Sequence, residues 1–177
     1  MAERDRLAQF EAEILPHRGA AYNLARYLTR DDSEAEDVVQ EAFLRAFRFW
    51  NGFRGVGPRA WLLKIVRNTC YDWFNKRPPS GMTCLSEEES AGGGNADLNP
   101  ESLLLKECDY RLIQEAFRSL PLEFREVAVL SDLEGFSYKE IAQTLDLSIG
   151  TVMSRLARAR KRIKKMLEGH FEKGEVP

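Results

Sequence analysis

An all-α chain is predicted, built as two small helical domains joined by a flexible linker, with a helix-turn-helix in the second. Three observations predict it. No stretch of useful length alternates apolar and polar residues, which removes a sheet. Apolar residues recur instead at three- and four-residue spacing along successive segments. The run from Arg77 to Asn99, with Pro78-Pro79, Gly81 and Gly92-Gly93-Gly94, has no period and few large apolar residues. It divides the helices into two groups.

The periodicity predicts helices over about 4–29, 33–50, 58–76, 101–119, 122–133, 138–145 and 149–168. Asp32 or Ser33 is placed to cap the second, with Glu36 completing a capping box. Its apolar stripe is Val38, Val39, Ala42, Phe43, Ala46, Phe47 and Trp50, and Asn51-Gly52 ends it. Pro58 suits the first turn of the third helix, which carries Trp61, Leu62, Ile65, Val66, Thr69 and Trp73. Asn99-Pro100-Glu101 restarts the helical pattern. The expected division is residues 1–76, a linker over 77–99, and residues 100–177. Each domain buries only a modest core.

Composition narrows the function. Hydrophobic residues make up 44% of the chain, yet no window approaches the roughly 18 uninterrupted apolar residues of a membrane span. The mixed-charge segment Met1–Arg6 leads into no apolar run, which argues against a secretory leader. Cys70, Cys84 and Cys108 are widely spaced, and neither His17 nor His170 lies near a cysteine, so no metal or other cofactor is expected. A reducing cytoplasm is the expected location.

The net charge of −2 conceals an asymmetry. Between Pro78 and Tyr110 the only base is Lys106, against Glu87, Glu88, Glu89, Asp97, Glu101, Glu107 and Asp109. Between Ser148 and Lys165 there is no acid, while Arg155, Arg158, Arg160, Lys161, Arg162, Lys164 and Lys165 are basic. That distribution points to nucleic acid although the total does not.

The basic run begins inside the helix-turn-helix. Tyr138, Ile141, Ala142 and Leu145 fall on one face of the first helix of the pair. Asp146-Leu147-Ser148 makes the turn, and Leu147 plugs the space between the helices. Ser148 is placed to cap the second helix. Val152 and Leu156 point inward, which leaves Gly150, Thr151, Met153, Ser154, Arg155 and Arg158 outward. In this motif the start of the second helix enters the major groove, where Thr151, Ser154, Arg155 and Arg158 reach base edges or phosphates.

In the first domain, Asp37, Gln40, Glu41, Leu44 and Arg45 form a polar face opposite the apolar stripe. Beyond it, Phe53-Arg54-Gly55 leads through Pro58 and Trp61 into a helix bearing Arg59, Lys64, Arg67 and Asn68. Aromatic groups interleaved with cations suit single-stranded DNA, although Trp61 and Trp73 themselves read as core.

Taken with these motifs, nearly the whole chain resembles the extracytoplasmic-function (ECF) sigma factors of the bacterial sigma-70 family. Asp37 to Ala46 resembles the family's core-polymerase-binding helix, and Phe53 to Asn68 its minus-ten recognition segment. Leu120-Pro121, Arg125-Glu126-Val127 and the helix-turn-helix resemble its minus-thirty-five recognition domain. The resemblance implies a non-enzymatic initiation factor that recruits core RNA polymerase through its β′ and β subunits and binds promoter DNA. It also implies control by an anti-sigma factor clamped between the domains.

On this resemblance Asp37, Gln40, Glu41, Leu44 and Arg45 would face polymerase. Phe53, Arg54, Arg59, Lys64, Arg67 and Asn68 would face the minus-ten element. Ser148, Gly150, Thr151, Ser154, Arg155 and Arg158 would face the minus-thirty-five element. The acidic linker would mimic nucleic acid in a basic polymerase channel. Met153 stands where the family often carries a base.

Two other classes fit less well. A helix-turn-helix regulator of the response-regulator type would need a receiver or ligand domain upstream, and the first 76 residues carry neither pattern. A magnesium phosphohydrolase built on Asp31, Asp32, Glu34, Glu36, Asp37 and Glu41 would need a matching acidic pair on a second helix.

Overall fold

The computed structural model describes residues 3–54, 57–76 and 100–173, and all regular structure in them is helical. The predicted linker over 77–99, with Cys84, lies outside the described residues, and the side chain of Cys108 is likewise not described.

The first domain is α1 (Glu3–Ile14), α2 (Arg18–Thr29), α3 (Asp32–Phe49) and α4 (Pro58–Lys76). The expected single helix over 4–29 is interrupted by a 3₁₀ turn at Leu15–His17. Pro16 explains it, because proline cannot donate to the helical ladder and its ring clashes with the preceding turn. Arg30 closes α2 in the left-handed conformation (φ 65°), its amide bonding the Arg26 carbonyl at 2.9 Å. The cap of α3 is Asp31 rather than Asp32 or Ser33, and its Oδ1 accepts the Glu34 amide proton at 2.8 Å. Asp31 is the residue in extended backbone (ψ 130°), the geometry a side-chain N-cap requires.

Alanines set the spacing of this domain. Ala21 and Ala25 of α2 and Ala35, Ala42 and Ala46 of α3 are fully buried, so the helices approach closely. Leu24, Val38, Leu62, Leu63 and Val66 fill the remaining space at zero exposure, each contributing about 1.5–3 kcal/mol of transfer free energy. Phe10 packs edge-on against Phe47 and Trp50, and Arg6 ties α1 down by donating to the Phe47 carbonyl at 2.7 Å. Cys70 is buried here, and desolvation pushes its thiol up to about 12, which disfavours the reactive thiolate.

The second domain is α5 (Pro100–Ser119), α6 (Leu122–Ala128), α7 (Tyr138–Leu145) and α8 (Ile149–Lys173). A π-helical turn at Val129–Leu133 follows α6, with the Glu134 amide reaching back five residues to the Val129 carbonyl at 3.0 Å. Gly135 (φ 68°) then reverses the chain where a side chain would be strained. The helix-turn-helix forms as expected. Asp146 takes the left-handed turn position (φ 54°), Leu147 packs on the core, and Val152 and Leu156 are buried. Ser137 and Glu140 make a reciprocal capping box on α7. Tyr138 departs from expectation. It is 39% exposed at the start of α7.

The two domains pack directly on each other. α6 lies against α2 and α7 against α4, and Tyr27 meets Phe117 with ring centroids 5.7 Å apart. Arg125, buried to 3% exposure, donates to the Tyr27 and Leu28 carbonyls at 3.1 and 3.3 Å and to the Leu120 carbonyl at 2.6 Å. The first two are carbonyls of the last turn of α2, the negative end of its dipole. The inner faces of the two domains thus touch in the chain on its own.

Candidate nucleic-acid interface

Three surfaces follow from this frame. The first is the outer face of α3, where helical spacing aligns Asp37, Gln40, Glu41 and Leu44 opposite the buried stripe. Leu44 is 64% exposed, an apolar side chain with no part in the core. Arg45 bonds Glu41 at 2.8 Å and Asp72 of α4 at 2.5 Å, so it is held flat rather than projecting. Those two carboxylates raise its pKa further, so it stays charged throughout. Beside Gln40 a groove of about 650 Å³ runs between α2 and α3, lined by Leu15, Tyr22, Val39 and Phe43.

The second surface is the Phe53 corner and the outer face of α4. Phe53 stacks on Trp50 (5.4 Å, 14° between planes) and leans on Trp61 at 4.8 Å. Phe53 and Trp50 border a cleft of about 410 Å³ completed by Asp5, Arg6, Gln9, Glu13 and Asn51. Gly55 and Val56 lie outside the described residues, and Gly57 resumes the chain at φ 97°. Arg54 and Asn68 are exposed.

The other three sequence-predicted cations of this surface meet carboxylates of the second domain. Arg59 pairs with Glu134 at 2.6 Å and lies over the Phe136 ring at 4.8 Å. Lys64 pairs with Asp146 at 2.7 Å. Arg67 pairs with Glu126 at 3.0 Å.

The third surface is the start of α8. Ser148 Oγ accepts the Thr151 amide proton at 3.1 Å and also bonds the Thr151 hydroxyl at 2.8 Å, so the expected cap is in place. Gly150, Met153, Ser154 and Arg158 are exposed, with Thr151 half-buried. Arg155 is different from its neighbours. It turns inward to Glu126 (3.4 Å) and Glu123 (3.5 Å), leaving its side chain 23% exposed.

Glu126 is therefore a hub that sequence reasoning missed. At 1% exposure it accepts from Arg67 Nε at 3.0 Å, Tyr71 Oη at 3.1 Å and Arg155 Nη1 at 3.4 Å. A buried carboxylate needs such partners, and three donors from two helices, α4 and α8, supply them. Burial first, then the Glu126 charge, raises the Tyr71 pKa, which keeps it a donor. The signal was present: Arg125 and Glu126 interrupt a run that is otherwise apolar from Phe124 to Leu130. Glu134, buried to 8% exposure and bonded to Asn23 at 3.3 Å as well as to Arg59, had no such signal.

Among the described residues no group of His, Cys, Asp and Glu is arranged to hold a metal ion, and no helix is long and apolar enough to cross a membrane. The acidic start of α3 instead serves as its cap and first turn.

Comparison with known proteins agrees with this layout. The model of Sigma-70 region 2 matches residues 14–78, and that of Sigma-70 region 4 matches residues 110–163. The ECF RNA polymerase sigma-E factor of Escherichia coli (strain K12) is 38% identical over 147 residues, covering 79% of this chain and 76% of its own length. ECF RNA polymerase sigma factor SigE of Mycolicibacterium smegmatis is 37% identical over 160 residues, and the match spans 89% of this chain but only 61% of that protein. Among solved structures, the sigma factor RpoE of Bartonella quintana, co-crystallised with the anti-sigma factor NepR, superposes with a TM-score of 0.74 at 28% identity. That match covers 90% of this chain and 97% of the other.

Proposed function

Because the chain belongs to the extracytoplasmic-function sigma factors of the sigma-70 family, we propose that it directs core RNA polymerase to specific promoters and initiates transcription there. It is an initiation factor and not an enzyme. The observation that carries this is the match to both sigma-70 regions, in order, on one chain whose second domain forms a helix-turn-helix.

Residues 1–76 form region 2, 77–99 the linker and 100–177 region 4. Asp37, Gln40, Glu41, Leu44 and Arg45 bind core polymerase, with exposed Leu44 as the apolar anchor amid polar neighbours. Phe53, Arg54, Arg59, Lys64, Arg67 and Asn68 bind the minus-ten element, where capture of an extruded base offsets part of the unstacking cost. Ser148, Gly150, Thr151, Ser154, Arg155 and Arg158 bind the minus-thirty-five element through the start of α8. The protein acts in the cytoplasm.

An anti-sigma factor controls it. The superposition with a sigma factor co-crystallised with one spans both domains and supports this reading. Since the inner faces of the two domains are already packed together, the inhibitor embraces the docked pair from outside and covers α3. Run-off transcription with purified core polymerase on genomic fragments tests the proposal. Discrete transcripts that require the chain are expected, and their start sites report the promoter. Transcript patterns identical with and without the chain would contradict it.

A further inference from the structure

The cleft beside the Phe53 corner, about 410 Å³, lies within the size range of small-ligand sites. Helix α1 supplies most of its polar lining. Phe10 and Ile14 of that helix are buried, and Phe10 packs on Trp50, which fixes α1 against the corner. Asp5, Gln9 and Glu13 recur every four residues beside this anchor and share one face of α1. Asn51, exposed between Trp50 and Phe53, adds a second amide to the lining.

The donor set selects the ligand. Arg6 is the one cation lining the cleft among the described residues, and it is already engaged. Its Nη2 donates to the Phe47 carbonyl at 2.7 Å, and the guanidinium lies over the Phe47 ring at 4.5 Å. Asp5 and Glu13 add two carboxylates, which repel phosphate, so a DNA strand enters base first. Carboxylates and amides beside aromatic rings are the groups that read the edge of a base. Gln9 Nε2 donates to Glu13 Oε1 at 3.3 Å, a long bond that an incoming edge can replace. The carboxylates can then accept from an exocyclic amine, while the Gln9 and Asn51 amides donate to the ring nitrogen beside it. Adenine and cytosine carry that pair on the Watson–Crick edge, and thymine carries carbonyls instead.

We propose that α1 is the base reader of the minus-ten surface. Gln9 and Glu13, with Asp5 and Asn51, receive the extruded base and select adenine or cytosine over thymine. Arg54, exposed and next to Phe53 in the chain, holds the strand by phosphate. This rests on the reading that the Phe53–Arg54 surface binds the minus-ten element. It goes beyond that reading by giving the choice of base to α1, a helix with no part in it.

Holoenzyme assembled from the full chain and purified core polymerase tests this. It is titrated with fluorescent single-stranded oligonucleotides carrying the minus-ten sequence of a promoter recovered by run-off mapping. Each position is replaced in turn by the other three bases. For the parent, one position should favour adenine or cytosine over thymine by about tenfold. Gln9→Ala with Glu13→Gln should flatten that preference, leaving the other positions and the affinity for the thymine oligonucleotide unchanged. Gln9→Ala alone, at an exposed site, should flatten it in part and guards against a folding defect in the double variant. Arg54→Ala should weaken all the oligonucleotides alike.

A base preference that survives at every position in the Gln9 and Glu13 variants, while Arg54→Ala weakens binding, overturns the inference alone. Loss of preference spread over all positions also overturns it, because α1 would then act only through the fold. A flattened position at which the parent favours thymine overturns the chemistry assigned to the cleft. Binding unchanged by Arg54→Ala places the failure in the underlying reading of the surface.

Discussion

The outer faces of α3 and α4 belong to the same domain and both carry charge, yet they meet different fates. On α3 the charges are satisfied locally: Arg45 ties Glu41 to Asp72, and Gln40 and Leu44 remain exposed. On α4 they are satisfied at a distance, each of Arg59, Lys64 and Arg67 meeting an acid of the other domain. A face neutralised by its own helices stays available to a partner, whereas a face neutralised by another domain is available only after that domain moves. On the proposed assignments, the surface for polymerase is open in the docked chain while the cations for the minus-ten element are paired.

The sharpest way to break this contrast is to remove its buried hub. Glu126→Ala leaves Arg67, Tyr71 and Arg155 without their shared acceptor and should destabilise the chain by about 3 kcal/mol. Urea unfolding checks it, and a loss within the range of an ordinary surface substitution would show that the hub carries no weight.

Next in size is the open face. Gln40→Ala with Glu41→Ala and Leu44→Ala should weaken binding to purified core polymerase about tenfold or more, since a few central residues dominate most interfaces. The helical circular dichroism should not change, as all three side chains lie outside the core.

Within the helix-turn-helix, Arg158→Ala and Arg155→Ala should each lower the log–log salt slope of minus-thirty-five DNA binding by roughly 0.9. Only Arg155→Ala should also lower the urea midpoint, because only Arg155 is bonded to Glu126. Equal midpoints would mean that the inward turn of Arg155 is not populated in solution.

Ser148→Ala removes the cap of α8 and should cost about 1 kcal/mol. The smallest expected effect concerns Cys70, whose thiol, buried and held to about 12, should resist thiol reagents at neutral pH until the chain unfolds. Rapid labelling of Cys70 in the native chain would show that α4 is loosely packed.

Much of this fold was legible because helical periodicity is a local signal. The spans of α3, α4 and α7 and the buried stripe from Val38 to Trp50 follow from spacing alone. The misses share a cause, since each depends on which of several competent neighbours the backbone selects. Asp31, Asp32 and Ser33 can all cap a helix, and only the extended backbone at Asp31 decided among them. Pro16 was visible but was read through, because apolar residues continue in register on both sides of it.

The candidate site divides along the same line. Residues on the faces of α3 and α8 were placed from one helix at a time. The partners Glu126, Glu134 and Asp146 lie 59, 75 and 82 residues from the cations they meet. No periodicity within a helix encodes a pairing at that separation, nor does it show that Arg155 turns inward.

The comparison between the two faces is tested most directly by measuring both affinities on one pair of proteins. Core polymerase and minus-ten DNA are titrated separately against the parent chain and against Glu134→Gln with Asp146→Asn. If α3 is open and α4 is masked by the second domain, DNA affinity rises about tenfold while core-polymerase affinity stays the same. DNA affinity that does not move, or two affinities that rise together, would contradict the account.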